Sequence, residues 1–93
     1  MANECSCLDE RRVEYLKTMK DLAISVSGPT RLVTQAYWGP AYGDDTSIRA
    51  NLDVLAFNLY FGVFYGRVED LDTTLKRLGE MYPDKPIIIS EFG

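Results

Sequence analysis

Apolar residues recur at a helical spacing near the start of the chain. Over residues 8–28 they form a stripe with a period of three to four residues, which predicts an amphipathic helix. We expect Asp9 to cap its N-terminus. Gly28 should end it in the αL conformation, because Pro29 cannot continue a helix. The stripe consists of Tyr15, Met19, Leu22 and Val26, widened by Leu16 and Ala23.

A second helical pattern and several short apolar runs follow. The helix is predicted over residues 69–81, where Asp72 and Lys76 have the spacing of a favourable ion pair. Strands are predicted over residues 31–36, 54–58 and 86–90. The last two runs are apolar at almost every position, which is typical of strands buried on both faces of a parallel sheet. The apolar stripe of the second helix is Leu71, Leu75, Leu78 and Met81.

The order of these elements predicts the fold class. Strand centres near residues 33, 56 and 88 alternate with helices, which is the arrangement of repeated βα units in a parallel α/β sheet. A (β/α)8 TIM barrel has roughly 250 residues, so 93 residues hold about three of its units. The alternation alone does not choose between part of such a barrel and a small doubly wound domain.

Both ends of the chain have the pattern of interrupted strands. Residues 1–3 resemble the end of a strand whose body is missing, and no helix follows the apolar run at residues 86–90. A buried strand at a chain end would leave a costly exposed face and edge. We therefore expect residues 1–93 to form a single partial domain, a fragment of a larger one.

Composition narrows the classes of function. The chain is 46% apolar and 26% charged, which is typical of globular proteins. Its net charge of −4 argues against a nucleic-acid partner. No apolar run approaches the roughly 18–20 residues that span a bilayer, so no membrane partner is predicted. Residues 1–12 contain no secretory signal. This favours a cytoplasmic location only weakly, because we expect the natural N-terminus to be missing, and the location stays open.

The residue types also limit the chemistry. The chain has no histidine, which excludes Ser-His-Asp machinery and histidine-based zinc sites within it. Cys5 and Cys7 are the only cysteines, and we interpret them as free thiols. No metal or cofactor is implied by the spacing of ligands. Any chemistry therefore falls to carboxylates, hydroxyls or thiols.

Polar side chains are predicted at the carboxyl ends of the strands, where parallel α/β sheets place their functional residues. They are Asn3 and Glu4, Asn58 and Tyr60, and Glu91, with Trp38 in the loop after the strand at residues 31–36. Paired carboxylates, an amide, a phenol and an aromatic platform suit a carbohydrate site. The same residues have ordinary structural explanations, because two of six glutamates can fall near strand ends by chance and Trp38 can pack.

The separation of the two glutamates tests the catalytic interpretation. Three strand positions amount to about 14 Å in a flat sheet, whereas a retaining glycosidase needs its carboxyl groups about 5–5.5 Å apart. Barrel closure brings Glu4 and Glu91 towards each other. Catalysis by this pair therefore requires a curved sheet.

Four motifs in order resemble the catalytic barrel of glycoside hydrolase family 2, the β-galactosidases, β-glucuronidases and relatives. They are Asn3-Glu4, Pro-Thr-Arg-Leu-Val-Thr at residues 29–34, Asp-Val-Leu-Ala-Phe-Asn-Leu-Tyr-Phe-Gly at 53–62, and Lys-Pro-Ile-Ile-Ile-Ser-Glu-Phe-Gly at 85–93. The resemblance covers essentially the whole chain. It implies about half of a barrel, from the end of strand four to the end of strand seven.

The resemblance also implies roles for individual residues. Glu4 matches the general acid/base and Glu91 matches the nucleophile of a retaining exo-β-glycosidase. Asn3 matches the residue that binds the sugar 2-hydroxyl, and Tyr60 matches a tyrosine beside the nucleophile. Asn58 lines the same pocket.

Two positions depart from the family pattern. Phe64 stands where the glucuronidase branch typically has a tyrosine, and Cys5 follows Asn3-Glu4 where proline is common. The residues that read a uronic-acid carboxylate in that branch lie beyond residue 93, so the sugar stays open.

The alternative to an enzyme fragment is a non-catalytic open-sheet α/β module for binding or interaction. In either case an isolated half-barrel leaves its inner face and sheet edges open. We expect little or no activity from such a fragment alone, and self-association through the sheet edges.

Overall fold

The computed structural model describes residues 2–4, 11–39 and 51–93. Within these ranges the chain forms four strands and two helices. They are β1 (Ala2–Asn3), α1 (Arg12–Ser27), β2 (Gln35–Trp38), β3 (Leu55–Leu59), α2 (Asp70–Met81) and β4 (Ile87–Phe92). The strands pair in the order β1-β2-β3-β4, and every pair is parallel. The predicted α/β fold with a parallel sheet is confirmed.

One face of the sheet packs into the hydrophobic core. Side chains alternate between the two faces along a strand, and residues paired across parallel strands share a face. Tyr37, Phe57 and Ile89 pair in this way, and they pack with Leu78 of α2 and with Tyr82. This helix-covered face consists of Tyr37, Leu55, Phe57, Ile87 and Ile89.

The opposite face is exposed only in part, because Ala36, Ala56 and Asn58 are buried there. Ala36, Ala56 and Ile88 pair across β2, β3 and β4, and Trp38 pairs with Asn58. Ile88 is 51% exposed and Trp38 is 64% exposed. We call these five residues the open face. The two alanines have the smallest side chains of the five, so longer neighbouring side chains can extend over them.

Helix α1 differs from its prediction in its start and in its burial. It begins at Arg12, with Arg11 at the cap position and no side-chain capping bond; Asp9 lies outside the described residues. Of the predicted apolar stripe only Leu16 is buried. Amphipathic spacing indicates which face of a helix can be buried. The other apolar residues of α1 stay exposed because no described element packs against them. Exposed fractions are 45% for Tyr15, 43% for Met19, 54% for Leu22 and 80% for Val26.

Gly28 ends α1 as predicted, but in another conformation. Its N–H donates to the Ile24 carbonyl at 2.8 Å, and its φ and ψ are 89° and 161°. The predicted αL geometry is therefore wrong. The observed combination belongs to a region that is essentially restricted to glycine.

The remaining elements confirm the predictions in part. β3 is buried at all five positions. α2 occupies the predicted span, with the Lys76 ammonium donating to Asp72 at 2.7 Å. β2 begins four residues later than predicted and includes Trp38. β4 is only half-buried, because it lies at the edge of the described sheet. Within the described residues, no helix has both the length and the hydropathy needed to cross a bilayer.

Asp53 connects α1 to the entrance of β3. Its carboxylate accepts the Val33 N–H at 2.9 Å and the Lys20 ammonium at 3.0 Å, and its own N–H donates to the Val33 carbonyl. Burial opposes ionisation of this carboxyl. The bonds from Val33 and Lys20, with the charges of Lys20 and Lys85, outweigh burial, so the pKa of Asp53 lies below its ordinary value.

Candidate functional site

The polar residues singled out in the sequence meet at one edge of the sheet. Glu4 directly follows β1, Asn58 lies near the end of β3, and Glu91 lies near the end of β4. Because all the strands are parallel, these positions share the carboxyl edge. Tyr60 follows β3 at the same edge. The predicted convergence of these side chains is therefore observed.

Asn58 is the centre of the side-chain network at this edge. Its Nδ2 donates to Glu4 Oε1 at 2.8 Å and to Asn3 Oδ1 at 3.1 Å. Its Oδ1 accepts the Ser90 hydroxyl at 2.7 Å. Asn58 is fully buried at 0% exposure. A buried amide that is bonded through both its oxygen and its nitrogen is held in a single orientation.

The contacts of Asn58 reach across β2 to β1. Two strand spacings amount to about 9.6 Å in a flat sheet, yet the Asn58 amide is in direct contact with Asn3 and Glu4. The small side chain of Ala36, which pairs with both Asn3 and Ala56, leaves this space free. The side chains of Asn58, Asn3 and Glu4 therefore meet over Ala36 and connect the ends of β1 and β3.

A β-bulge in β4 brings Glu91 to the same side as Ser90. Phe57 pairs with Ile89 and Asn58 pairs with Glu91, so Ser90 is the extra residue. In a regular strand Ser90 and Glu91 would point to opposite faces. Here Ser90 contacts the side chain of Asn58, and Glu91 Oε2 accepts the Tyr60 hydroxyl at 2.7 Å.

Tyr60 lies within electrostatic reach of both carboxylates. The hydrogen bond to Glu91 raises the pKa of the Tyr60 hydroxyl above its ordinary value. Desolvation and the negative charges of Glu91 and Glu4 act in the same direction. The pKa of Tyr60 therefore depends on the charges of both Glu4 and Glu91, although β1 and β4 lie three strand positions apart.

The backbone of Glu4 has an uncommon conformation. Its φ is 47°, in the left-handed region that costs a non-glycine residue of the order of 1 kcal/mol. Its N–H donates to the Ala36 carbonyl at 2.9 Å, which continues the pairing of β1 with β2. The turn at Glu4 directs its side chain to Asn58 instead of continuing the strand.

Tyr65 supports the end of β3 from the loop that follows it. Its hydroxyl accepts the Tyr60 N–H at 2.9 Å and lies 3.4 Å from the Asn58 carbonyl, to which it donates. The loop turns at Gly62, where φ is 80° and a Cβ would lie 2.7 Å from a methyl of Val68. The loop therefore needs glycine at this position.

Trp38 lies beside the network but faces solvent. Its ring is 6.4 Å from the Tyr65 ring in an edge-on arrangement, and it pairs in register with Asn58. An aromatic side chain with this exposure can stack against a flat ligand surface, as expected from the sequence. Phe64 is 74% exposed, and its ring lies 4.9 Å from the Tyr60 ring.

Sequence reasoning missed two members of this network, Ser90 and Tyr65. Ser90 is the polar residue between the apolar run of β4 and Glu91. Its place beside Glu91 could have identified it as a candidate site residue. The role of Tyr65 depends on the fold of the loop, for which the aromatic run carries no local signal. Cys5 and Cys7 lie outside the described residues.

The chemistry of this edge is that of carboxylates and neutral hydrogen-bond donors. Residues 2–4, 11–39 and 51–93 contain no cluster of three or more His, Cys, Asp or Glu side chains suited to a metal ion. Glu4 is exposed and Glu91 is partly exposed, so solvent-borne molecules can reach both. The network provides two accessible carboxylates, each with a neutral donor bound to one of its oxygens.

Comparisons with known proteins address the fold. No protein-family model and no curated protein matches this chain, but solved structures do. A Bacteroides fragilis protein assigned as a β-galactosidase superposes with a TM-score of 0.81 and 23% identity, over 98% of this chain and 13% of that one. The FMN-binding β-glucuronidase of Faecalibacterium prausnitzii L2-6 superposes with a TM-score of 0.79 and 27% identity, over 92% of this chain and 13% of that one. The β-glucuronidase of Bacteroides uniformis superposes with a TM-score of 0.73 and 22% identity, over 90% of this chain and 10% of that one.

These structural similarities show which part of a larger fold the four-stranded sheet represents. The chain has the fold of part of the β/α barrel of such glycosidases, and it spans only 10% to 13% of the length of these three proteins. The predicted partial barrel is therefore confirmed.

Proposed function

We propose that this chain is a fragment of the catalytic barrel of a retaining exo-β-glycosidase of the family 2 type. The observation that carries the proposal is the linked placement of two carboxylates at the carboxyl edge of the sheet. Glu4 binds the Asn58 amide and Glu91 binds the Tyr60 phenol. The likeness of the fold to solved β-galactosidases and β-glucuronidases supports the same assignment.

In this proposal Glu4 and Glu91 perform a double displacement. Glu91 attacks the anomeric carbon while Glu4 protonates the departing glycosidic oxygen, which leaves a covalent glycosyl-enzyme. Glu4 then removes a proton from water, which attacks the anomeric carbon and releases Glu91. Esterification removes the negative charge of Glu91, so the nearby Glu4 loses its proton more readily and changes from acid to base.

The neighbouring groups would bind and orient the sugar. Asn3 would hydrogen-bond the 2-hydroxyl, a contact that strengthens in the transition state. Tyr60 donates to one oxygen of Glu91, which leaves the other oxygen to attack. Asn58 holds Glu4 and Asn3 together, and Trp38 would offer its exposed ring to a sugar face. The substrate class is therefore a β-glycoside.

Activity with matched variants tests this proposal in the enzyme that carries the complete barrel. Glu91→Gln should abolish hydrolysis of aryl β-glycosides, because an amide cannot form the glycosyl ester. Glu4→Ala should lose about 10²–10⁴-fold on substrates with poor leaving groups. It should retain much more activity on those with good leaving groups, which need little protonation. Glu80→Gln, on an exposed position of α2, is the matched control and should leave all rates unchanged.

Two outcomes would contradict the assignment. Equal loss in Glu4→Ala with every leaving group would count against Glu4 as the acid. Carbohydrate binding without hydrolysis of any aryl glycoside would favour the non-catalytic binding module. The rate constants for a panel of leaving groups separate these cases.

A further inference from the structure

Ser90 has no role in the proposed reaction, yet it makes a short contact to the centre of the site. It is the extra residue of the β-bulge in β4, and its hydroxyl donates to Asn58 Oδ1 at 2.7 Å. The bulge places it on the same side as Glu91. A regular strand would also place Ser90 beside Asn58, but only the bulge lets Ser90 keep this contact while Glu91 lies on the same side.

The Asn58 amide is held from both ends, because its Nδ2 donates to the Glu4 carboxylate and its Oδ1 accepts the Ser90 hydroxyl. With Oδ1 bound to Ser90, the Nδ2 group faces two acceptors, Asn3 Oδ1 and Glu4 Oε1. The reversed amide would place an oxygen against the Glu4 carboxylate and lose that bond. Hydrogen bonds connected through one amide also polarise one another, so donation to Oδ1 strengthens donation from Nδ2.

We propose that Ser90 is a positioning residue for the acid/base carboxylate, acting through Asn58. This inference rests on the proposed glycosidase function. Ser90 binds Asn58, and Asn58 binds both the Glu4 carboxyl and Asn3. Although Ser90 is the chain neighbour of Glu91, its hydroxyl acts on Glu4, whose strand lies three positions away.

The affected step is the transfer of the proton to the leaving group. In this step the bond from the anomeric carbon to the glycosidic oxygen breaks and the bond to Glu91 forms. The proton of Glu4 moves to the departing oxygen, whose electron pair accepts it. An alkoxide leaving group needs that proton, whereas a dinitrophenolate does not. Loss of positioning should therefore slow alkyl glycosides selectively.

The test compares Ser90→Thr with Ser90→Val in the enzyme that carries the complete barrel. The two side chains have nearly the same shape and β-branching, and only threonine keeps the hydroxyl. We expect kcat/KM of Ser90→Val to be roughly 3- to 10-fold below that of Ser90→Thr on methyl and other alkyl β-glycosides. On dinitrophenyl β-glycosides the two variants should agree within about twofold. Ser90→Thr should restore the wild-type ratio between the two substrate classes.

The ratio of alkyl to dinitrophenyl rates is measured on one protein sample, so a change in the folded fraction cancels from it. If Ser90→Val does not fold, Ser90→Ala takes its place against the wild type. Equal loss on both substrate classes would overturn the proposal and indicate an effect on Glu91. Equal rates of the two variants on alkyl glycosides would overturn it too. Failure of the proposed function is seen separately, as retained turnover in Glu91→Gln.

Discussion

Asn58 is the residue on which the geometry of the candidate site depends. Its side chain bonds to Asn3 of β1 and to Ser90 of β4, and it is completely buried. A buried amide without partners costs about 1–3 kcal/mol, so each of its contacts also stabilises the fold. The same residue therefore links stability to the placement of Glu4.

Tyr60 provides a prediction at the level of a single ionisation. Because its bond to Glu91 and the nearby negative charges raise its pKa, Tyr60 should ionise at a higher pH than free tyrosine. The stability that its bond provides is present below the ordinary tyrosine pKa of about 10. It is lost as the pH rises through the raised value. The difference in tyrosinate absorbance between the wild type and Tyr60→Phe isolates this residue.

Ionisation of Tyr60 in the ordinary range would contradict the bond to Glu91. Glu91→Gln is the matched control, since it removes the charge and keeps a side chain of similar size. In this variant the difference titration should move to lower pH, towards that of free tyrosine.

Sequence reasoning located the acidic pair but not the contacts that connect it. Asn3, Glu4, Asn58 and Glu91 could be placed at one sheet edge because parallel strands align their carboxyl ends. The bulge at Ser90 could not be predicted, because it depends on the pairing of β4 with β3 and not on a local pattern.

Among the elements, α1 and the start of β3 are connected by a polar contact. Asp53 bonds to Lys20 of α1 and to the backbone at Val33, so one carboxylate joins the helix, the segment before β2 and the start of β3. This ion pair is partly buried, whereas the pair of Lys17 and Asp21 is exposed at 69% and 62%.

The stability that this ion pair provides should depend on pH. Because the pKa of Asp53 is lowered, its contribution is complete above the ordinary aspartate value of about 3.9. It is lost as the pH falls through the lowered value. Asp53→Asn should reduce the free energy of unfolding near neutral pH by about 1–3 kcal/mol and flatten its decline in acid, measured by urea unfolding at several pH values.

Asp21→Asn is the matched control for the acid prediction. Its pair is exposed, so it should change the free energy of unfolding by well under about 1 kcal/mol. A decline in acid that is as steep in Asp53→Asn as in the wild type would show that the connection does not provide this stability.

The elements differ in how far sequence alone predicts them. β3 and α2 were predicted closely, because β3 is buried on both sides and α2 packs its stripe on the core. The stripe of α1 predicted a helix correctly but not its burial, which depends on whether another element packs against it. The three isoleucines of β4 predicted a buried strand, and its edge position leaves Ile88 half-exposed.

At the scale of the molecule, the sheet has one covered and one open face. The open face exposes Ile88 and Trp38, and β4 also exposes Phe92 at 79%. β1 and β4 are the outer strands of the described sheet, and unpaired strand edges invite pairing between chains. Local sequence patterns were enough to predict the partial barrel. Which strands lie at the edges of the sheet became known only from the strand order.

The exposed edge predicts self-association of the 93-residue chain. Apolar contact through Ile88 and Phe92, together with pairing along β4, should produce dimers or larger species in sedimentation velocity experiments. Ile88→Lys should shift the population towards monomer, because a charge at an edge opposes pairing. Thr73→Lys, on an exposed position of α2, is the matched control for added charge. A clean monomer with a cooperative melt would refute the prediction.

The alternation of faces along β3 has a consequence for how substitutions are tolerated. Leu55, Phe57 and Leu59 contribute to the core, while Ala56 and Asn58 belong to the open face. A scan of the strand for folded yield should therefore find sensitive positions on both faces. At Leu55, Phe57 and Leu59 the loss is of apolar packing, whereas at Asn58 it is of hydrogen bonds to a fully buried amide. Substitutions at the odd positions should thus lower stability alone, and those at Asn58 should also displace Glu4.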